Sequence, residues 1–247
     1  MSYKEKNVLY SSGDSTIWGA ELESKETERF SSIVSKHLGW IDCNNASAGV
    51  SNDYIYRQTL RDVSHWLKYK KVWSEETQWV DADNIFILIG WTAPTRFEWW
   101  DGNEYKQERL WLNYDKWGYS DSDKMTDALF AIHQTMDIPS YIRTFNQIIS
   151  LSSFLEKHKV PYYFFNTFYE YKIPDELTTN IDKFGKTEFQ TGLHTLWEFI
   201  PQSIKEETMF SYLKRKGGDF LPRRHPSAKS HKMWADWLIK NVIENEK

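Results

Sequence analysis

The chain has 247 residues, enough for one α/β domain with a sizeable core, and a formal net charge of −4, which excludes a global basic field for nucleic acid. A single cysteine, Cys43, excludes an intrachain disulfide framework. No N-terminal apolar run resembles a signal peptide and no stretch approaches membrane-spanning length, so no membrane association and a cytoplasmic location, or release by lysis, are expected.

The first element is an apolar run, Asn7 to Tyr10, that favours a strand and breaks into Ser-Ser-Gly-Asp-Ser. Bounded by turn signals, it suits a buried strand of a parallel sheet, with Ser15 exposed at the sheet's carboxyl edge. A helical segment follows from about Lys25 to His37, with Phe30, Ile33, Val34 and Leu38 on one face and Gly39 placed to end it. A second short strand, Trp40 to Asn44, enters a loop of small residues from Asn45 to Asp53, where Ser51, Asn52 or Asp53 can cap the next helix. That helix carries Ile55, Leu60, Val63 and Leu67. Val72 to Asp83 reads as a polar, Trp-containing connection. Ile85 to Gly90 is unbroken apolar and β-favouring, the pattern of a central strand covered on both faces.

From Trp91 to about Met136 there is little periodicity but many aromatic residues, which predicts a lid or substrate-binding insertion. A helix from Pro139 to about His158, a strand from Val160 to Asn166, a segment of short helices and loops to Gly218, and a last helix from Ser227 to Glu244 complete the chain. The alternation predicts a three-layer α/β/α sandwich around a central parallel sheet, one domain over residues 1–247 with an insertion at about 91–136. Aromatic residues make up 17% of the chain, including 13 Trp, so flat faces lining a cleft for sugar rings stand beside a large aromatic core as explanations.

Three strand-end loops fall at one edge of such a sheet: Gly13-Asp14-Ser15, the loop holding Gly49, and Gly90-Trp91-Thr92. A His225-Pro226 pair precedes the last helix. Acyl transfer needs a hydroxyl, a base for its proton, and donors for the developing oxyanion. Ser15 can supply the first, His225 the second, and backbone amides at Ser15 and Gly49 the third. No HExxH or CxxC pattern occurs, so no metal and no cofactor are expected. Cys43 reads as a small core residue and His231 as a helix-start residue making local hydrogen bonds.

This order resembles the SGNH (GDSL-like) hydrolase family from about residue 7 to 240. The resemblance implies a flavodoxin-like SGNH fold and a serine esterase with Ser15 as nucleophile, His225 as base and the Gly49 amide as oxyanion donor. The family's third block reads Gly-x-Asn; here Thr92 holds the asparagine's place as the second oxyanion residue. The last block usually places Asp three residues before His, a position held by Pro222, so Asp219 is the nearest carboxylate for the base. The Trp91-Thr92 loop with Arg96 and Glu98 is similar to a variant of the family common in large tailed phages. Asp14, Trp91, Arg96, Glu98 and Trp99 are the candidate substrate-binding residues, although Arg96 and Glu98 can equally hold their loop by an ion pair. The implied partner is a small-molecule or glycan ester such as an O-acetylated sugar, with a homo-oligomer or virion association left open. Thr92 and Pro222 also motivate an alternative: a carbohydrate-binding or virion-structural protein that keeps the fold without the catalysis. A flavodoxin-like nucleotide binder is a third option, but no Gly-rich phosphate loop supports it.

Overall fold

In the computed structural model, residues 6–100, 105–109, 137–171 and 195–244 are described. Four strands form the central sheet: β1 (Asn7–Gly13), β2 (Ile41–Asn44), β5 (Asn84–Trp91) and β8 (Tyr162–Asn166), the last numbered after the hairpin strands below. Their order is β2-β1-β5-β8 and every pairing is parallel. From β1 the chain first steps to one side, to β2, then to the other, to β5. The strand order therefore reverses at β1, and the crevice beyond its carboxyl end is where open α/β sheets bind ligands.

Alternation along the strands builds two cores. Val8, Tyr10, Ile85, Ile87, Ile89 and Phe164 face α4 (Asn52–Tyr69) and α5 (Asp137–Lys157), meeting Ile55, Val63, Phe145 and Leu151. Leu9, Phe86, Leu88 and Phe165 face the other way. They meet α1 (Ser15–Trp18), α3 (Phe30–Leu38), α6 (Met209–Arg215) and α7 (Ala228–Leu238) through Ile17, Val34, Leu213 and Trp234. The result is the expected three-layer α/β/α sandwich, with β5 covered on both faces as its composition predicts.

The structure departs from the sequence reading in three places. The segment from Lys25 is two helices, α2 (Lys25–Glu28) and α3, broken at Arg29, whose ψ of 149° is extended. There the buried guanidinium joins Asp42 Oδ2 at 2.9 Å and Glu76 Oε1 at 2.6 Å, an anchor that apolar periodicity does not reveal. The polar connection to Asp83 is a hairpin, β3 (Lys71–Ser74) and β4 (Gln78–Asp81), pairing Trp73 with Trp79. The last helix passes into a π-helical turn over Ile239–Ile243. The insertion opens as a second hairpin, β6 (Arg96–Trp100) and β7 (Tyr105–Arg109); residues 110–136 of the expected lid lie outside the described residues.

Candidate active site

β1 ends at Gly13, and Asp14 caps α1, its Oδ1 accepting from Thr16 N at 2.9 Å. Ser15 is the first residue of that helix and half-buried. The turn is tight because Ile17 of α1 lies directly over two glycines. A Cβ at Gly13 would sit 2.3 Å from Ile17 Cγ1, and one at Gly90 2.4 Å from Ile17 Cδ1. Glycine at both strand ends lets α1 close onto the sheet and fixes where Ser15 stands.

The chain's far end meets this turn. His225 sits in a closed loop ahead of α7, held by Leu221 N to His225 O at 2.8 Å, Arg224 N to Leu221 O at 2.7 Å and Ser227 N to Asp219 O at 3.0 Å. His225 Nε2 lies 3.0 Å from Ser15 Oγ, bringing together residues 210 positions apart. His225 Nδ1 lies 2.6 Å from Glu21 Oε2, and Glu21 Oε1 accepts from Arg223 N at 3.3 Å. With the Nδ1 proton donated to the carboxylate, Nε2 is left to accept from the serine hydroxyl. Burial alone would raise the Glu21 carboxyl, but the hydrogen bonds from His225 and Arg223 and their charges outweigh it and hold the group below the ordinary carboxylate value.

The carboxylate against His225 is thus Glu21, and the expectation of Asp219 is corrected. The Asp219 carboxylate is exposed and pairs with Lys229 Nζ at 3.1 Å, while its carbonyl accepts from Ser230 Oγ at 2.6 Å. Sequence reasoning missed Glu21 because it follows the serine by six residues instead of preceding the histidine. Its backbone is unusual: φ is +67°, a left-handed conformation that costs a non-glycine residue about 1 kcal/mol. Arg224, beside His225, is also left-handed at φ +70°. Strain of this kind collects at functional sites.

The third strand-end loop is used differently from the sequence expectation. Thr92 is fully buried and its hydroxyl donates to Asp14 Oδ2 at 2.9 Å, so that proton is turned away from an oxyanion. Its backbone is clamped by Asn52: Thr92 N donates to Asn52 Oδ1 and Asn52 Nδ2 donates to Thr92 O, both at 2.9 Å. The Tyr171 hydroxyl donates to the same carbonyl. Neither Asn52 nor Tyr171 was flagged by motif, because a cap position and a loop tyrosine carry no sequence signal for a distant carbonyl. Gly49 is buried with φ +79°, in a loop tied to β1 by Asn45 N to Ser11 O at 2.8 Å and Ser47 N to Gly13 O at 3.1 Å.

The residues expected to bind substrate are mostly used internally. Asp14 is fully buried and Arg96 nearly so; Arg96 Nη1 reaches Asp14 Oδ2 at 3.3 Å and Val50 O at 3.4 Å. Glu98 takes a two-pronged ion pair from Arg57, both contacts 2.9 Å. Trp91 is wholly buried, edge-on to Phe164 at 5.7 Å, and therefore has no face for a sugar. Trp99 lies on β6, and its side chain is outside the described residues. Cys43 is buried and its thiol is pushed up to about 11, chiefly by burial, as suits a core residue. His231 is also buried; its Nδ1 accepts from Phe30 N at 3.2 Å, a partner in another helix instead of the local one expected. Among the described residues no cluster of metal-ligating side chains occurs, and no helix is long and apolar enough to cross a membrane.

The model of DUF6071, a family of unknown function, matches residues 18–246. No curated protein matches the sequence. Similar solved structures include the psychrotrophic esterase EstA from Pseudoalteromonas sp., at 10% identity and TM-score 0.48, covering 98% of this chain and 99% of that one. A member of the lipolytic protein G-D-S-L family from Veillonella parvula is similar at 12% identity and TM-score 0.43, with 96% and 98% covered. A carbohydrate esterase family 2 enzyme with a carbohydrate-binding domain from Corynascus thermopiles is similar at 12% identity and TM-score 0.46, with 99% and 68% covered.

Proposed function

The chain belongs to DUF6071, a family of unknown function, and we propose that it is a serine esterase of SGNH type acting on an ester borne by a carbohydrate, such as an O-acetyl group. The observation that carries the reading is the relay Glu21–His225–Ser15, with heavy-atom distances of 2.6 and 3.0 Å at the point of strand reversal. Ser15 Oγ attacks the ester carbonyl carbon as its proton passes to His225 Nε2. Collapse of the tetrahedral oxyanion expels the alcohol, which takes that proton, and leaves an acyl-serine. Water then repeats the sequence, its proton going to His225 and returning to Ser15 as the acid leaves. Glu21 holds the ring with Nδ1 protonated and stabilises the imidazolium that forms. The backbone amides of Ser15 and Gly49 are the proposed oxyanion donors. The sugar part of the reading is supported by the aromatic content of the chain, and the phage likeness by the Trp91-Thr92 loop alone.

The test is hydrolysis of a short-chain aryl ester by the wild-type protein and Ser15→Ala. Turnover that vanishes in the variant supports the reading; equal rates remove Ser15 from it. One observation favours the second reading, a binding protein on the same fold. The Thr92 hydroxyl is committed to Asp14, and loss of one oxyanion donor costs about 10²–10³ in rate. A serine-directed fluorophosphonate separates the two: no labelling of Ser15, with glycan binding that is lost in Trp99→Ala, selects the binding protein.

A further inference from the structure

We infer that Arg96, the first residue of the β6–β7 hairpin, is a positioning residue for the nucleophile, acting through the buried Asp14 carboxylate; this rests on the esterase reading above. Asp14 is fixed at three points. Oδ1 accepts from Thr16 N at 2.9 Å, and Oδ2 accepts from Thr92 Oγ1 at 2.9 Å and Arg96 Nη1 at 3.3 Å. Its side chain is wholly buried, and the arginine side chain is 9% exposed. A carboxylate removed from water in this way needs its countercharge, so the pair holds its geometry. Phe168, just past the end of β8, lies over the guanidinium at 5.1 Å and adds a cation–π contact.

The backbone links Asp14 to the reacting hydroxyl. Asp14 O accepts from Ile17 N and Trp18 N, both at 3.0 Å, and the next residue is Ser15. A side chain anchored at both oxygens restrains the Asp14 Cα, and with it the peptide that carries the Ser15 amide and opens the first turn of α1. Arg96 is itself held: its N donates to Ala93 O at 3.2 Å, and its carbonyl accepts from Arg143 Nη2 at 3.2 Å. A hairpin of the insertion thus reaches the nucleophile turn through one charged side chain, and Thr92 serves the same carboxylate.

Arg96→Met, Arg96→Lys, Asp14→Asn and the double variant Asp14→Asn/Arg96→Met are compared with wild type for kcat and KM on a short-chain aryl ester and for the rate of fluorophosphonate labelling at Ser15. Arg57→Met is the control, because it cuts a neighbouring anchor of the same hairpin and not the contact to Asp14. Thermal unfolding followed by circular dichroism establishes that each variant folds. The expected result is a fall of about 10–100-fold in kcat and labelling rate for Arg96→Met, with KM within threefold. Arg96→Lys is expected to recover part of the loss, and Arg57→Met to lose less than threefold. Asp14→Asn is expected to cost less on the Arg96→Met background than on wild type, the non-additivity of residues acting through one contact. Folded Arg96→Met with wild-type kcat and labelling overturns the inference and leaves the esterase reading standing. A wild-type protein that neither labels at Ser15 nor hydrolyses the ester overturns that reading, and this inference with it.

Discussion

Glu21 is held by its side chain against the preference of its backbone. Glycine is the residue that a φ of +67° favours, and here a glutamate occupies it with its carboxylate 2.6 Å from His225 Nδ1. The contact is only 21% exposed on either side, so its orientation is held more firmly than in a fully solvated pair. Glu21→Gln keeps the shape and removes the charge, and kcat on an aryl ester is expected to fall by at least about tenfold and by as much as about 10⁴. Asp219→Asn, which removes only an exposed partner of Lys229, is expected to stay within twofold of wild type. Glu21→Gly is the more telling variant. It relieves a left-handed glutamate, so thermal unfolding is expected at or above the wild-type temperature while turnover falls as in Glu21→Gln. A glycine variant that unfolds well below wild type, or that keeps its turnover, would show that the glutamate is there for the fold.

At the scale of elements, the site depends on how closely α1 and α3 are docked. Ile17 lies over Gly90, which has no need of a left-handed backbone, so Gly90→Ala tests space alone. The added methyl would stand 2.4 Å from Ile17 Cδ1 and must push α1 outward. Overpacking of this kind costs about 1–3 kcal/mol, and kcat is expected to fall with Ser15 displaced from His225; Ile17→Val in the same chain should restore part of both. The start of α3 is held from α7. The Arg29 side chain makes no cap bond there, and the Phe30 N–H is taken by His231 Nδ1, whose ring stacks on Phe30 at 6.0 Å and 9°. Burial, with the charges of Arg29 and His225 added, lowers His231 to about 3. The unfolded chain takes up this proton near the ordinary value of 6.5 and the folded chain does not. Stability is therefore fully present above about 6.5 and is lost as pH falls toward 3, by about 2–3 kcal/mol at pH 4.5. His231→Asn, which can keep an acceptor near Phe30 N and cannot titrate, should flatten the pH dependence of urea unfolding between pH 6.5 and 4.5. Parallel curves for the two proteins would show that His231 does not account for that slope.

At the scale of the molecule, what the sequence disclosed followed from how local each cause was. The Ile85–Gly90 run gave the central strand because a strand buried on both faces has only apolar choices; Gly39 marked one helix end and Ser51, Asn52 or Asp53 a helix start because caps are local, and the structure has Gly39 and Ser51 in those places. Ser15 and His225 were legible as residue types next to turns. Glu21, Arg96 on Asp14 and Asn52 on Thr92 were not, since each is a pairing of distant segments that leaves no period or spacing behind. The hairpin at Lys71–Asp81 was hidden because a two-stranded ribbon on the surface has one partly covered face and polar residues elsewhere. The same topology makes a prediction about cooperativity. Ile87 and Leu88 are neighbours on β5, both wholly buried, yet they belong to opposite cores. Truncating either to alanine is expected to cost about 2–5 kcal/mol, the range for a buried aliphatic side chain. Because β5 is bonded to both β1 and β8, loss on one face removes the support of the other. Trp66 and Trp91 lie in one core and Trp234 in the other, so their individually assigned fluorine resonances in 5-fluorotryptophan-labelled protein report the two faces separately. Ile87→Ala and Leu88→Ala should each move both reports to lower urea concentration together, in one transition that coincides with loss of far-ultraviolet circular dichroism. Separate midpoints for the two sets of tryptophans would mean that the layers fold as independent units on a shared sheet, and Ser15 and His225, both carried by the layer of α1 and α7, would then stay together after the α4–α5 layer has opened.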